Sequence, residues 1–256
     1  MKNLFSVDGK TAIVTGGSRG IGAMIARGFV ENGAKTYITS RKADVCDAMA
    51  KELSQYGTCI SMPADLSKMD GIDGFVKAFT EKESKLDILV NNAGATWGAP
   101  FEEFPESGWD KVMAINVKSI FFLTKALLPQ IHEAAKGKDH ASIINIGSVD
   151  GINVPAFDNY SYSASKAAVL HMTAVLAKKF IKDNITVNAI APGPFESKMM
   201  AEFLNSFGDA VRASVPMGRI GEPSDVAGTS IYLASRAGAY VTGTTIPVDG
   251  GLVHCR

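Results

Sequence analysis

The sequence predicts an α/β fold, with a doubly wound parallel sheet of about seven strands and helices on both faces. Short, almost continuously apolar runs alternate with longer segments of helical periodicity along the 256 residues. A glycine-rich turn joins the first apolar run to the first helical segment, and no linker, repeat or low-complexity tract interrupts the alternation. These observations predict a single domain over residues 1–256.

Seven runs rich in β-branched residues predict the strands. Each is apolar at nearly every position, which is typical of a strand covered by helices on both faces. The predicted strands span 11–15, 35–40, 58–64, 87–92, 142–148, 185–191 and 244–248. The predicted helices between them span 20–32, 43–56, 68–83, 108–135, 160–182 and 223–235.

One connection, about 193–221, is too long to join a strand directly to a helix. Its apolar residues fall on one helical stripe. Such a stripe fits either a lid over a ligand or an ordinary surface helix packed on the core. The stripe comprises Met199, Met200, Phe203, Leu204 and Phe207.

Composition narrows the function classes. Lysine plus arginine and aspartate plus glutamate number 26 each, so the net charge indicates neither nucleic acid nor an anionic membrane as a partner. No signal peptide is evident, and no apolar run approaches the ~18 residues of a spanning helix, so we expect a cytoplasmic protein. Cys46, Cys59 and Cys255 lack CxxC spacing and the four histidines lack a ligand pattern, so neither a disulfide nor a metal site is predicted.

The glycine-rich turn is the segment TGGSRGIG, 15–22. Gly16, Gly20 and Gly22 keep it free of side chains, so backbone N–H groups and the following helix N-terminus can approach a pyrophosphate. The spacing is GxxxGxG, and such a turn could also merely join a strand to a helix. Its position between a strand and a helix favours a dinucleotide site in a Rossmann fold.

The end of the second strand, TSRK, bears on the choice of dinucleotide. An acidic residue there usually binds a ribose 2′-hydroxyl, whereas arginine accommodates a 2′-phosphate. No acid occurs at 39–42, while Arg41, Arg19 and Lys42 supply positive charge. The sequence therefore predicts NADPH rather than NADH.

Tyr162 and Lys166 are four residues apart in a helical segment, so they project from one face, whereas Tyr160 points away. A nearby ammonium favours the phenolate and moves a phenol pKa down from its usual ~10. Tyr162 is thus a candidate acid for carbonyl reduction, although a YxxxK pair also occurs on solvated helices. Ser148, at the end of the run IINIGS, is predicted at the same sheet edge and could donate to a substrate carbonyl.

From about Lys10 to Gly251 the chain resembles the short-chain dehydrogenase/reductase family. The segments that carry the resemblance are TGGSRGIG, NNAG, NVKS, the GS pair, YSASK and APGP, in that order. It implies that Asn116 holds a water in a proton relay, Ser148 polarises the carbonyl, Tyr162 delivers the proton, and Lys166 binds the nicotinamide ribose and lowers the pKa of Tyr162. The implied NADP(H) contacts are Gly16, Ser18, Arg19, Gly20, Ile21, Gly22, Arg41, Asp65, Leu66, Asn92, Ala93, Gly94, Tyr162, Lys166, Pro192, Gly193, Phe195 and Ser197.

Four further segments carry a narrower resemblance: SGWDKVMAINV, IINIGSV, SVPMGRIGEP and GAYVTGTTIPVDGG. By these the chain resembles bacterial 3-oxoacyl-[acyl-carrier-protein] reductases, especially the β-ketoacyl reductase type linked to rhamnolipid biosynthesis. This implies NADPH-dependent reduction of a 3-oxoacyl thioester to the 3-hydroxyacyl thioester. Trp97, the loop 150–157 and the 199–207 stripe are candidate pocket residues for an aliphatic chain. Two alternatives stay open: a dehydrogenase of a polyol, sugar or other small alcohol or ketone, and a catalytically silent dinucleotide-binding regulator.

The partner that presents the substrate is also open. Acyl carrier protein is acidic, so its reductase should carry a basic patch near the mouth of the site. Asp139 and Asp183 stand where basic residues would be expected, which leaves CoA or a free ketone possible. The resemblance also implies a homotetramer through 108–135 and 160–182, and the tail GLVHCR is a further candidate for contact with a neighbouring subunit. The candidate patch comprises Lys136, Lys138, Lys178, Lys179 and Lys182.

Overall fold

Seven parallel strands form one sheet in the computed structural model, which describes residues 2–137, 139–155, 157–196 and 201–255. The predicted α/β fold class is confirmed. The strands are β1 (Thr11–Thr15), β2 (Lys35–Thr39), β3 (Cys59–Ser61), β4 (Ile88–Asn91), β5 (Ala141–Ile146), β6 (Ile185–Pro192) and β7 (Thr245–Val248). Their order across the sheet is β3-β2-β1-β4-β5-β6-β7, so the winding reverses between β1 and β4, where open α/β sheets bind ligands.

Helices cover both faces of the sheet, and each face has its own apolar core. The helices are α1 (Gly20–Glu31), α2 (Ala43–Leu53), α3 (Met69–Thr80), α4 (Glu106–Met113), α5 (Ser119–Ala135), α6 (Tyr160–Phe180), α7 (Ala201–Ser214) and α8 (Pro223–Ala234). Residues of α1, α2 and α8, such as Phe29, Leu53 and Leu233, fill one core. Residues of α3, α5 and α6, such as Phe79, Leu127 and Phe180, fill the other.

Five strands are shorter than predicted, and two of these, β3 and β5, end early for reasons that can be named. β3 ends at Ser61 rather than at residue 64, and Pro63, which has no N–H to donate to a ladder, follows closely. β5 ends at Ile146, so Ser148 does not end the strand as predicted. Ser148 instead precedes a short 3₁₀ turn, Val149–Gly151, which re-aims the chain at the edge of the sheet.

The predicted helix 108–135 is a continuous helical run with a π-helical turn, Ala114–Lys118, between α4 and α5. Among the described residues, Glu106–Ala135 is long and apolar enough to qualify as a membrane span by length and composition alone. This corrects the expectation that no segment reaches that length. The evidence for a membrane is weak, because Leu123 and Leu127 of this helix are buried in the core of the fold.

The direction of the helices fixes which residues share an edge of the sheet. α6 begins beside the end of β5 and runs back to the start of β6, and α5 runs back to the start of β5. At that far edge the Asn184 amide donates to the Ala135 carbonyl oxygen over 3.1 Å. The starts of α1 and α6 therefore lie at the carboxyl edge of the sheet, and the ends of α5 and α6 lie at the other edge.

The long connection 193–221 is closed at its base. Phe195 forms a parallel bridge with Gly221, whose N–H donates to the Pro194 carbonyl oxygen over 2.8 Å. The ring of Phe195 packs directly on Gly221, where no side chain would fit. The connection carries α7, with a non-helical residue at Phe207. Of the predicted stripe, Met199, Met200 and the side chains of Phe203 and Leu204 lie outside the described part.

Candidate active site

Three of the predicted catalytic residues meet at the carboxyl edge of the sheet. Ser148 lies near enough to the Tyr162 hydroxyl to lower the pKa of that group. The Lys166 Nζ lies 5.5 Å from the centroid of the Tyr162 ring and donates to the Ile146 carbonyl oxygen over 2.7 Å. The helical phase that groups Tyr162 with Lys166 and excludes Tyr160 is thereby confirmed, since Tyr160 donates instead to Asp158 over 2.8 Å.

The orientation of the Ser148 hydroxyl is set by its own turn. The Asp150 N–H donates to the Ser148 Oγ over 3.1 Å, so the oxygen already accepts one bond. The single hydroxyl proton can point toward the Tyr162 oxygen or toward a substrate carbonyl oxygen, and the second orientation is what polarising a carbonyl requires. Ser148 is buried, so water competes less with a substrate carbonyl for this hydrogen-bond donor.

The pKa of Tyr162 moves in the direction opposite to the one that the sequence suggests. Burial around the hydroxyl raises it to about 12, and the bond from Ser148 lowers it by less. Burial also lowers the pKa of Lys166 to about 8, so this ammonium is a weaker source of positive charge than an exposed lysine. The protein's own groups therefore keep the proton on the phenol, as an acid for reduction requires.

Asn116 lies in the π-helical turn and is fully buried. Its Oδ1 accepts from the Ala95 N–H over 2.9 Å, and its Nδ2 donates to the Ala95 carbonyl oxygen and to the Ser165 Oγ. Ser165 in turn donates to the Tyr162 carbonyl oxygen over 2.7 Å. The side chain thus ties the loop after β4 to the helix that carries Tyr162, and its predicted role as a water ligand stays a prediction.

The glycine-rich turn forms a cradle with no room for side chains. Gly16 and Gly20 have φ of 66° and 53°, in the left-handed region. A Cβ on Gly16 would lie 2.8 Å from the Asn92 Nδ2, and one on Gly22 would overlap both the Asn92 amide and the Gly16 carbonyl oxygen. α1 begins here without a side-chain cap, so its first N–H groups can receive phosphate oxygens.

The cradle is fastened to β4 by Asn92 and Thr15. The Thr15 Oγ1 accepts from the N–H groups of Asn92 and Ala93 over 2.9 Å each, and the Asn92 amide donates to the Thr15 carbonyl oxygen over 2.8 Å. Gly94, the last residue of this motif, is exposed and lies beside Asn116. The predicted cofactor residues of the two loops therefore share one framework, which includes Thr15.

The adenosine end of the predicted site lies at β2 and β3. Arg19 and Arg41 are exposed, and Leu66 is buried. Bonds from the Ser67 side chain and, more weakly, the charge of Arg41 lower the pKa of Asp65. Ser18 is buried, and Ile21 is half-buried at the start of α1.

At the nicotinamide end, the predicted residues follow β6. Pro192 is buried, and a Cβ on Gly193 would lie 2.8 Å from the Asp249 Cα, so only glycine fits there. The ring of Phe195 is buried against Gly221, which leaves its main chain as the part that could face a cofactor. Ser197 lies outside the described residues.

The lysines predicted to form a basic patch at the mouth of the site lie elsewhere, and this prediction is wrong within one subunit. Lys178 is 16 residues beyond Tyr162 on the same helix, or about 24 Å along its axis. Lys136 and Lys182 follow the ends of α5 and α6, at the far edge of the sheet. The two acids pair locally there, Asp139 with Arg236 and Asp183 with His132. Lys138 lies outside the described residues.

Comparison with known proteins agrees with this geometry. A protein-family profile described as Enoyl-(Acyl carrier protein) reductase matches residues 16–253. A rhamnolipids biosynthesis 3-oxoacyl-[acyl-carrier-protein] reductase of Pseudomonas aeruginosa is 47% identical over 253 residues, covering 98% of this chain and 99% of the relative. The chain belongs to the short-chain dehydrogenase/reductase family. A 3-oxoacyl-[acyl-carrier-protein] reductase, FabG, of Chlamydia pneumoniae is 36% identical over 96% of this short-chain dehydrogenase/reductase and 98% of the relative.

Solved structures of other family members share the whole fold. A Pseudomonas aeruginosa RhlG/NADP active-site complex superposes with a TM-score of 0.95 at 47% identity, covering 98% of this chain and 99% of that one. A gluconate 5-dehydrogenase from Burkholderia cenocepacia, in complex with NADP and tartrate, superposes with a TM-score of 0.90 at 30% identity, covering 98% and 97%. The relatives that share this fold thus include proteins named as a 3-oxoacyl-[acyl-carrier-protein] reductase and as a gluconate 5-dehydrogenase.

Sequence reasoning missed two residues of the site. Thr15 links the cradle to β4, and Ser165 links Asn116 to the main chain of Tyr162. Ser165 stands inside the quoted segment YSASK, and Thr15 opens TGGSRGIG. Their positions within those motifs could have identified Thr15 and Ser165 as site residues. Their contacts could not be predicted, because they join segments far apart in the sequence.

Proposed function

We propose that this protein is an NADPH-dependent reductase that converts a 3-oxoacyl thioester to the 3-hydroxyacyl thioester. The observation that carries the proposal is the meeting of Ser148, Tyr162 and Lys166 beside a glycine cradle at one edge of the sheet. The Pseudomonas and Chlamydia relatives named as 3-oxoacyl-[acyl-carrier-protein] reductases support the substrate class.

The chain's own residues supply the proton and its control. With substrate bound, the Ser148 hydroxyl turns its proton from Tyr162 to the carbonyl oxygen, which fixes the substrate and stabilises developing negative charge. Tyr162 transfers its proton to that oxygen as the alcohol forms, and its raised pKa keeps this proton available. Lys166, beside the ring, stabilises the phenolate that remains. When bound, NADPH supplies the hydride that reduces the carbonyl carbon.

The residues at the cofactor end fit a phosphorylated dinucleotide. The cradle of Gly16, Gly20 and Gly22 would hold the pyrophosphate, because a Cβ at Gly16 or Gly22 would fill that space. Arg19, Arg41 and Lys42 are exposed where a 2′-phosphate would lie, and no acid stands at 39–42.

Replacing Arg41 with Ala should raise the KM for NADPH by about 10- to 100-fold and leave that for NADH within about twofold. A charge-assisted bond to phosphate contributes ~1.5–3 kcal/mol, and only NADPH carries that phosphate. The matched control is Arg27→Ala, since Arg27 pairs with Glu31 on α1 and stacks on Tyr56. Equal losses for the two cofactors, or a wild-type preference for NADH, would contradict the assignment.

Apolar side chains line the loops around the site and suit an aliphatic chain. Val154 is 95% exposed and Phe101 is 72% exposed, and Ile152, two residues before Val154, is also exposed. Trp97 packs on Gly108 under the Lys111 ammonium, 5.0 Å from its ring centroid. An acyl chain laid on these loops would cover surface that is otherwise left to water.

A spectrophotometric panel tests the substrate class. NADPH oxidation is followed with acetoacetyl-CoA, a long-chain 3-oxoacyl thioester on CoA and on acyl carrier protein, a ketose and a simple diketone. The highest kcat/KM should fall on a 3-oxoacyl thioester. A preference for the ketose would instead support the second candidate, a sugar or polyol dehydrogenase, which the gluconate 5-dehydrogenase neighbour favours. Tight NADPH binding without turnover of any member would support a silent regulator.

We also propose a cytoplasmic homotetramer. Phe121 of α5, together with Val175 and Ile181 at and beyond the end of α6, exposes apolar surface that subunit contact would cover. Cys46 and Cys59 are buried free thiols, which suits a reducing compartment. The C-terminal tail folds back within the subunit, where the Val253 N–H donates to Asp249. Light scattering should give four times the chain mass of 27.1 kDa.

A further inference from the structure

Asp150 is an acidic residue in the middle of the site, and the proposed mechanism gives its side chain no task. It lies two residues after Ser148, in the 3₁₀ turn between β5 and α6. Its carboxylate accepts from the Asn159 Nδ2 over 3.1 Å, and Asn159 immediately precedes α6. The side chain is partly buried, and this burial raises the pKa of the Asp150 carboxyl.

The main chain of Asp150 makes two further bonds to the site. Its N–H donates to the Ser148 Oγ over 3.1 Å, and its carbonyl oxygen accepts from the Ser163 Oγ over 2.6 Å. Ser163 follows Tyr162 directly on α6. One residue therefore contacts the catalytic serine, the residue before α6 and the first turn of the helix that carries the catalytic tyrosine.

The turn is also pressed against α6 by packing. A Cβ on Gly151 would lie 2.7 Å from the Lys166 carbonyl carbon, so the turn sits directly on the helix main chain. The Gly151 N–H donates to the Ser148 carbonyl oxygen over 3.0 Å, which closes the turn. A shift of Asp150 would consequently move the serine relative to the tyrosine and the lysine.

Two charged side chains face Tyr162 from the described elements packed around it. Lys166 of α6 lies beside the ring, and Asp150 acts from the 3₁₀ turn. The end of β5 presents the neutral hydroxyl of Ser148, and the π-helical turn presents the neutral amide of Asn116. The negative charge of Asp150 disfavours the phenolate and so opposes Lys166.

We propose that Asp150 is a positioning residue: its main chain bonds to Ser148 and Ser163, its carboxylate bonds to Asn159, and together these contacts hold the catalytic serine and the start of α6 in one frame. The proposal rests on the proposed carbonyl reduction. Lys166 and Asp150 carry opposite charges near the Tyr162 phenol, and the two charges have different effects on turnover. Lys166 stabilises the product phenolate, and Asp150 extends the pH range in which the acid is loaded.

Asp150→Asn separates charge from geometry, because an asparagine oxygen can still accept from Asn159. Its kcat at neutral pH should stay within about threefold of wild type, while the alkaline limb of kcat/KM for reduction moves to lower pH by about 0.5–1 unit. Asp150→Ala, which also loses the bond to Asn159, should lower kcat about tenfold with the same shifted limb. The control is Asp158→Asn, an exposed acid of the same loop that contacts Tyr160, and its alkaline limb should not move.

A second readout needs no turnover. In protein labelled with ¹³C at the tyrosine ζ carbon, the Tyr162 resonance, assigned with Tyr162→Phe, should begin to titrate at lower pH in Asp150→Asn than in wild type. An unmoved titration and an unmoved alkaline limb in Asp150→Asn would overturn the charge role, and wild-type kcat in Asp150→Ala would overturn the positioning role. If no carbonyl in the panel is reduced, the proposed function fails, and the resonance still decides the role of the charge.

Discussion

Replacing Tyr162 with Phe should lower kcat for carbonyl reduction by about 10²–10⁴-fold and leave NADPH affinity within about twofold. The change removes one oxygen atom, the acid that protonates the nascent alkoxide, and keeps the ring that packs beside Lys166. The bond from the Asp150 N–H to the Ser148 Oγ does not involve the phenol oxygen and should persist. Single-turnover NADPH oxidation and a separate fluorescence titration of NADPH distinguish the two effects.

Tyr160→Phe is the matched control, two residues away on the same helix. Its hydroxyl donates to the exposed Asp158, and its ring packs edge-on against Phe101 and Phe104, which a phenylalanine would preserve. Turnover should stay within about twofold of wild type, since an exposed hydrogen bond contributes little. Near-normal reduction by Tyr162→Phe, or inactivity of Tyr160→Phe, would refute the choice of tyrosine.

Gly22→Ala should weaken NADPH binding by about 10- to 100-fold and lower the free energy of unfolding by ~1–3 kcal/mol. The added methyl group would overlap the Asn92 amide and the Gly16 carbonyl oxygen. The Asn92 amide also bonds to the Thr15 carbonyl oxygen, so the overlap would separate the cradle from β4. Calorimetric titration of NADPH and denaturant unfolding of the free protein measure the two losses.

The same chemical change at Gly74 provides the control. Gly74 is exposed within α3, and a Cβ there would meet nothing within 4 Å. Gly74→Ala should stabilise the helix by up to ~1 kcal/mol and leave NADPH affinity unchanged. If Gly22→Ala behaved like Gly74→Ala, the cradle would not require close approach of backbone, and the pyrophosphate assignment would be wrong.

Features set by neighbours in the chain could be predicted from the sequence. The parallel sheet with helices on both faces follows from the alternation of strands and helices, and the pairing of Tyr162 with Lys166 follows from helical phase alone. Contacts between distant segments could not be predicted in this way. The bond from Asn116 to Ser165 spans 49 residues, and the enclosure that raises the pKa of Tyr162 comes from packing rather than from local spacing.

The misplaced lysine patch has a different cause. A helix that joins two parallel strands must run back across the sheet, so its last turn lies at the edge opposite the strand end that precedes it. Lys178 and Lys179 in the last turn of α6 cannot flank the site at its first turn in the same subunit. The predicted alternation of strands and helices already implied that the end of α6 lies at the edge opposite the site. The pattern of charges in the sequence did not imply it.

The closure of the chain at Phe195 and Gly221 divides the protein into an invariant part and an exchangeable one. The sheet requires only that these two residues meet, and the cost of closing a loop rises slowly with its length. Segments of other lengths and compositions could be grafted between the same anchors without disturbing the proton donor or the cradle. Substrate specificity could then change, in evolution or in the laboratory, by replacement of the segment between Phe195 and Gly221 while the catalytic residues stay the same.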